Sequence, residues 1–169
     1  YNPYKMGFTA GGDIHSAYQA NEEWDWHGAH GNQDDTPEKR LSPKPNASGD
    51  KGYAVSSAGT TAVWATENTR EAIFDAMKSK ETYGTSGTLI RLRFFGGWGL
   101  DEDLVNDPEF VKKAYDQGVP MGQDLKEKPS GAKAPTFAVW AMKDPESENL
   151  DRIQIIKVWA DPDTKYARE

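Results

Sequence analysis

Residues 68–98, NTREAIFDAMKSKETYGTSGTLIRLRFFGGW, contain the strongest structural signal in this chain of 169 residues. Asn68 and Glu71 fit a capping box, in which a polar side chain caps a helix and an acid three residues later bonds back. Apolar side chains then recur every three or four positions, and most charged side chains fall on the other side. These features predict a helix over 69–80.

The second part of the same stretch alternates in the way that a strand does. Ile90, Leu92 and Phe94 are separated from one another by two arginines. Successive side chains of a strand point to opposite faces. We therefore predict a strand with one apolar face and a second face that carries Arg91 and Arg93.

Further elements follow toward the end of the chain. Asp107 stands where a helix over about 108–117 would begin, and Gly118 would end that helix. Two apolar runs, 136–144 and 152–161, are separated by a turn-like link that contains Pro, Ser and Asn. This arrangement predicts an antiparallel hairpin.

The order of these elements predicts an α/β chain in two parts. Residues 1–87 would contain a short strand over 5–12, a long loop insertion at about 16–60, and the first helix. Residues 88–169 would form a β-rich region with one helix, so that the chain by itself is α+β. Because it begins with Tyr1 rather than Met, we expect either the carboxy-terminal piece of a longer protein or a processed or truncated chain.

Composition excludes several classes of function. The chain has 27 acidic and 20 basic residues, a net charge of −7, and no basic cluster, which argues against binding nucleic acid. No apolar run approaches the roughly 18 to 20 residues that a membrane-spanning helix needs. Cysteine is absent, so thiolate catalysis, disulfides and cysteine-ligated zinc are excluded.

The heptapeptide GGDIHSA, residues 11–17, contains an Asp-x-His pair. In an extended strand, Asp13 and His15 would point to the same side. A carboxylate oxygen and an imidazole nitrogen together suit zinc, manganese or iron, so the pair predicts metal ligands. A surface Asp–His hydrogen bond is the alternative.

Blocks that cover nearly the whole chain resemble a bacterial family of unknown function. The blocks are GFTAGGDIHSA (7–17), AVWATENTREAIFDAMKSKETYGTSGTLIRLRFFGGW (62–98), GVPMGQDL (118–125) and APTFAVWAMKDPESENLDRIQIIKVW (134–159). They occur in the family's order, and the variable region around 19–58 is the least similar part. The family belongs to the polymerase and histidinol phosphatase (PHP) superfamily of metal-dependent hydrolases.

This resemblance implies the last strand and helix elements of a PHP-type distorted α/β barrel, with an antiparallel β layer or small sandwich. PHP proteins gather two or three metal ions with several His and Asp motifs, the last of which is Asp-x-His. Asp13 and His15 stand in its place, and Gly12 replaces the usual Ser or Ala. The family's earlier His-x-His motif is absent, because the other histidines are His27 and His30.

The resemblance also implies an activity, the hydrolysis of a small-molecule ester by metal-activated water, with phosphoesters as the default substrate. Two ligands cannot complete the coordination of a divalent ion. We therefore expect the chain alone to be inert and to bind zinc, manganese or iron weakly. The remaining amino-terminal part of the parent polypeptide would supply the other ligands. Relatives are often exported, which implies a periplasmic or extracellular location.

Two loop sites are secondary candidates for catalysis. His27 and His30, in WHGAHG, would act from a lid over the metal site, or else belong to a solvated loop. Ser86, in YGTSG, would line an anion site together with neighbouring backbone N–H groups. A glycine-closed turn is the alternative explanation for the YGTSG sequence.

A second possible class of function is binding without catalysis. Trp140 and Trp159 lie in the two predicted carboxy-terminal strands and would form a sugar-binding platform if both were exposed. The chain would then be a β-rich accessory or carbohydrate-binding module. Tryptophans of strands are more often part of the core, which is the alternative.

Overall fold

The structure, a computed structural model, describes residues 5–13, 36–45, 49, 59–160, 163 and 167–168. The α-helices are α1 (Pro37–Arg40), α2 (Arg70–Ser79) and α3 (Phe110–Gln117), and Leu104–Asn106 form a 3-10 helix. The strands are β1 (Thr60–Val63), β2 (Thr82–Thr85), β3 (Arg91–Gly97), β4 (Val119–Pro120), β5 (Thr136–Met142), β6 (Trp159–Ala160) and β7 (Ala167–Arg168). No helix in these ranges has the length and apolar character that a bilayer span requires.

All strand pairing in the described residues is antiparallel, in three small sheets. β3 is the central strand of the sheet β4-β3-β5, and the pairs β1-β2 and β6-β7 form the other two. The predicted mixture of helices and strands is therefore confirmed. These residues form no closed barrel, and the barrel that the family resemblance implies stays an expectation.

Helix α2 confirms the first predicted helix, but its cap lies one residue later than predicted. The Thr69 hydroxyl, not the Asn68 side chain, accepts the hydrogen bond from the Ala72 backbone N–H, at 3.3 Å. Lys80 ends the helix with a left-handed backbone (φ 65°). A threonine caps a helix nearly as well as an asparagine, so the sequence alone did not distinguish the two positions.

Helix α3 confirms the second predicted helix, with its start two residues later, at Phe110. Asp107 still organises this start: its backbone carbonyl accepts from the Phe110 N–H, and its carboxylate accepts from the Glu109 N–H at 2.7 Å. Lys113 donates to the same carboxylate, and this hydrogen bond lowers the pKa of Asp107. Gly118 ends the helix, as predicted.

The main core lies on the face of β3 that carries the arginines. Phe95 follows Arg93 on this face and is 1% exposed, and its ring meets Phe110 and Tyr115 edge to face, with ring centroids 5.7 and 5.1 Å apart. Ala138 is its register partner on β5. The buried cluster consists of Phe95, Leu100, Leu104, Phe110, Ala114 and Ala138. Helix α3 and the 3-10 helix therefore cover one end of this sheet face.

Two predicted strand arrangements are wrong. β5 pairs with β3 rather than with the following apolar run, and 152–158 are exposed and contain no strand. Only the end of that run forms a strand, β6, which pairs with β7. Residues 5–12 also contain no strand. In both cases an apolar run predicted a strand, but such a run does not specify which strand would pair with its backbone.

Much of the predicted loop insertion at 16–60 lies outside the described residues. Within it, the structure describes 36–45, 49, 59 and 60. The short helix α1 begins after Thr36, whose hydroxyl accepts from the Lys39 backbone N–H at 3.3 Å. Part of the insertion therefore has helical structure. The division into 1–87 and 88–169 stays a prediction.

We expect Phe95→Ala to lower the free energy of unfolding by about 3–5 kcal/mol, because it leaves a cavity among α3, β3 and β5. Chemical denaturation measures this change. Phe74→Ala is the matched control, since Phe74 is 62% exposed on α2. Its expected effect is about 0.5 kcal/mol or less. Similar values for the two variants would contradict the assignment of the core.

The pH dependence of the free energy of unfolding tests the structural role of Asp144. Its side chain is buried, and its carboxylate accepts from the backbone N–H groups of Leu89 (2.6 Å) and Glu146 (3.0 Å), which lower its pKa from 3.8. A depressed folded-state pKa stabilises the fold above the unfolded pKa, and this contribution is lost as the pH falls through the folded value.

We therefore expect Asp144→Asn to be less stable than the wild type at pH 7, with a difference that shrinks below about pH 3.8. Urea midpoints measured from pH 7 to pH 2.5 test this. Asp116→Asn, at an exposed position of α3, controls for the change in net charge. A difference between Asp144→Asn and the wild type that does not depend on pH would be the contrary result.

Candidate functional site

A cavity of about 670 Å³ lies on the apolar face of β3, and we call it the apolar cavity. Its lining comes from four parts of the chain: residues 7–10, residues 80 and 82–86, the side of β3 with Leu92, Phe94 and Gly96, and residues 119–123. A volume of this size falls in the range of about 300–1,000 Å³ that is usual for ligand sites. The predicted alternation of β3 is confirmed for Leu92 and Phe94, which line this cavity, whereas Ile90 precedes the strand and is not among the lining residues.

Residues 7–10 form one wall, and side-chain hydroxyls hold them against the β1-β2 pair. The Thr82 hydroxyl donates to the Phe8 carbonyl at 2.7 Å. The Thr61 hydroxyl donates to the Ala10 carbonyl (2.8 Å) and accepts from the Ala10 N–H (2.9 Å). Two threonines thus satisfy backbone groups that a strand would pair in a sheet.

Glycines allow this close approach. A Cβ atom at Gly59 would lie 2.4 Å from the backbone of Gly11, and one at Gly84 would lie 2.8 Å from the Cβ of Ala10. Both distances are shorter than nonbonded atoms tolerate. The crossing of residues 7–11 over the β1-β2 pair therefore requires glycine at both positions.

The other walls are tied together by backbone and side-chain contacts. The Tyr83 hydroxyl donates to the Ile90 carbonyl at 2.8 Å and accepts from the Leu92 N–H at 3.2 Å, which joins β2 to the start of β3. Lys5 forms an ion pair with Asp124, and this contact lowers the pKa of Asp124. Together with the contacts of Thr61 to Ala10, this ion pair anchors both ends of the wall formed by residues 7–10.

Ser86 lines the apolar cavity and is exposed. In the described part of the chain its hydroxyl has no hydrogen-bond partner. The neighbouring Thr85 hydroxyl accepts from the Gly87 N–H at 3.2 Å, and Gly87 has a positive φ of 125°. This local geometry fits a glycine-closed turn, and the predicted role of Ser86 in catalysis stays a prediction.

Asp13 is exposed and has a left-handed backbone, with φ of 49°. Aspartate tolerates this conformation better than most residues. The prediction that Asp13 lies in an extended strand, which would direct its side chain and that of His15 to the same side, is therefore wrong at Asp13. His15, His27 and His30 lie outside the described residues, so the contacts of these three candidates stay predictions. Within the described ranges, no three side chains of His, Asp or Glu are grouped to hold a metal ion.

A second hollow, of about 690 Å³, lies on the other face of β3, and we call it the arginine cleft. Its lining consists of Trp64, Arg91, Arg93, Trp140 and residues 105 and 107–112. The predicted tryptophan platform is not formed in the expected way: Trp140 packs against the core, whereas Trp159 is 43% exposed on β6. Sequence reasoning missed the cleft, because Trp64 is far in sequence from the other residues that line it.

Comparison with protein families identifies a match over the whole chain. Residues 1–169 match the family described as "Protein of unknown function (DUF3604)". The chain belongs to this family. The expectation of a family of unknown function is thus confirmed, over the whole chain. No curated protein and no solved structure matched the chain.

We expect Gly59→Ala to displace residues 7–11 from the β1-β2 pair, because its methyl group would overlap the Gly11 backbone. Limited proteolysis should then cut this segment at least about ten times faster than in the wild type. Gly11→Ala is the matched control, since a Cβ atom there has no described atom within 4 Å. Equal cleavage rates in the two variants would refute the proposed steric role of Gly59.

Proposed function

We propose that the chain is part of a metal-dependent hydrolase of the PHP superfamily, acting on a small-molecule ester. The resemblance of its ordered sequence blocks to a PHP family supports the class of enzyme. The position of Asp13 supports the location of the site and is the observation that carries the proposal. Asp13 comes three residues after Ala10, and three residues of chain span at most about 11 Å. A metal ion held by Asp13 would therefore lie near the wall of the apolar cavity.

In this proposal Asp13 and His15 contribute two ligands. The carboxylate and imidazole suit zinc, manganese or iron, and the remaining ligands would come from the amino-terminal part of the parent polypeptide. A divalent ion held by these residues would supply Lewis-acid chemistry, lowering the pKa of water toward about 7 and polarising the ester. The chain alone would be inert, since two ligands do not complete the site.

The apolar cavity would receive the body of the substrate. Phe8, Leu92 and Phe94 contribute aromatic and aliphatic surface, so they favour an ester with an apolar part. Ser86 would contact a polar atom of the substrate at the lining of the cavity. His30 would reach the same site from the loop insertion. Phosphoesters are the default substrate by resemblance, and carboxylic or carbamic esters fit the same mechanism.

Metal content tests the proposal. Asp13→Asn in the full-length parent keeps the size of the side chain and a residue that accepts a left-handed backbone, but removes the negative charge of the ligand. We expect metal affinity to fall at least about 100-fold, because loss of even a second-shell partner costs about 10–100-fold. Mass spectrometry of the purified protein measures the bound metal.

Asp116→Asn is the control for net charge and should leave the metal content unchanged. The 169-residue chain alone should contain far less than one ion per molecule. An Asp13→Asn parent that keeps its full complement of metal would refute the proposal. So would stoichiometric metal on the isolated chain.

A further inference from the structure

The arginine cleft continues the sheet face that carries the core. Helix α3 covers the part of this face with Phe95 and Ala138. The next pair on the same face, Arg93 and Trp140, lies at the edge of the covered part. Arg91 lies one further pair along. The face therefore changes from apolar core to a mixture of guanidinium and indole groups over the next two residue pairs that lie on it.

Arg93 is held in place before any ligand binds. Its guanidinium carbon lies 3.4 Å from the ring centroid of Trp64, and the Trp64 Nε1–H donates to the Leu92 carbonyl at 2.8 Å. One Arg93 N–H group donates to the Tyr115 hydroxyl at 3.3 Å. Arginine has five N–H donors, and in the described residues the others have no partner. A guanidinium fixed by stacking loses little freedom when it binds an anion.

The acidic residues that line the cleft pair with lysines, and the Glu81 carboxylate is linked to Arg93 through the Tyr115 hydroxyl. Asp107 forms an ion pair with Lys113, and the Oε1 atom of Glu109 lies 3.8 Å from the Nζ atom of Lys112. Arg91 is exposed and has no ion pair within the described ranges. Two guanidinium groups thus face one hollow in a chain whose net charge is −7. This local reversal of charge favours a ligand with a carboxylate, which arginine binds through two parallel hydrogen bonds.

Trp64 and Trp140 indicate the rest of the ligand. Arg93 stacks on Trp64, and Trp140 is half-buried against the core; the indole surface that these contacts leave in the cleft accepts a ring with an apolar face. The carboxylates of Asp107 and Glu109 accept hydrogen bonds from hydroxyl groups. A pyranose ring that bears a carboxylate has all three properties: an apolar face, hydroxyl donors and a negative charge. We propose that the arginine cleft binds acidic sugars of the uronic acid class.

The same contacts have a purely structural explanation. Stacking of Arg93 on Trp64 joins β3 to the residue that follows β1, and Tyr115 joins α3 to Glu81 before β2. Arg91 makes neither contact, so a substitution at Arg91 distinguishes the structural explanation from the binding explanation. A structural role of the cluster does not require Arg91, whereas recognition of a carboxylate does.

Isothermal titration with trigalacturonic acid tests the proposal, with maltotriose as the neutral sugar and benzoate as the carboxylate without hydroxyl groups. We expect trigalacturonic acid to bind at least about tenfold more tightly than either comparison compound, the effect of one charge-assisted hydrogen bond. Binding should weaken as salt is added. A chelator that contains no carboxylate, present in all samples, makes the result independent of the proposed metal site.

Arg91→Gln should weaken binding of trigalacturonic acid about tenfold or more while the urea midpoint stays unchanged. Lys78→Gln, which removes a positive charge outside the cleft, should bind like the wild type. If maltotriose bound as tightly as trigalacturonic acid, the cleft would not recognise the negative charge. If benzoate bound as tightly as trigalacturonic acid, the cleft would not recognise the sugar. Unchanged binding by Arg91→Gln would overturn the assignment to this cleft.

Discussion

The burial of one phenyl ring organises the described structure. Phe95 is almost completely enclosed, and its edge-to-face contacts with Phe110 and Tyr115 fix α3 on the sheet. Burial of a phenylalanine contributes on the order of 2–3 kcal/mol, which is large compared with most single contacts of this chain. Because α3 covers only one end of the sheet face, the same contact determines which part of that face stays open.

The two faces of β3 then support two different chemistries. Odd-numbered positions carry Arg91, Arg93 and Phe95, and even-numbered positions carry Leu92 and Phe94. Strand alternation separates these sets, so one hollow is basic and aromatic and the other is mostly apolar. A single seven-residue strand therefore contributes to both candidate sites.

Local patterns predicted local elements well and distant pairings poorly. The period of apolar residues identified α2 and the alternation identified β3, since both signals lie within one element. Which face of β3 would hold the core did not follow, because Phe94 and Phe95 are adjacent and place an aromatic ring on each face. Pairing of β5 with β3 joins residues that are far apart in sequence, and alternation contains no information about the partner.

The candidate sites show the same difference between local patterns, which the sequence contains, and distant contacts, which it does not. Ser86 was identified from a short motif and does line a cavity. The contact between Arg93 and Trp64 could not be identified, because the fold rather than the sequence brings the two side chains together. The prediction of an extended backbone at Asp13 was wrong, because a glycine pair allows the chain to turn there and aspartate accepts the resulting left-handed conformation.

The attachment of residues 7–10 through threonine hydroxyls has a consequence for dynamics. A strand within a sheet cannot leave without breaking the ladder of its neighbours, but these residues contribute no ladder bond to the β1-β2 pair. Their detachment is therefore a local opening whose free energy is only part of that of global unfolding. Amide hydrogens such as that of Ala10 can exchange with solvent while the threonines that held them remain in intact strands.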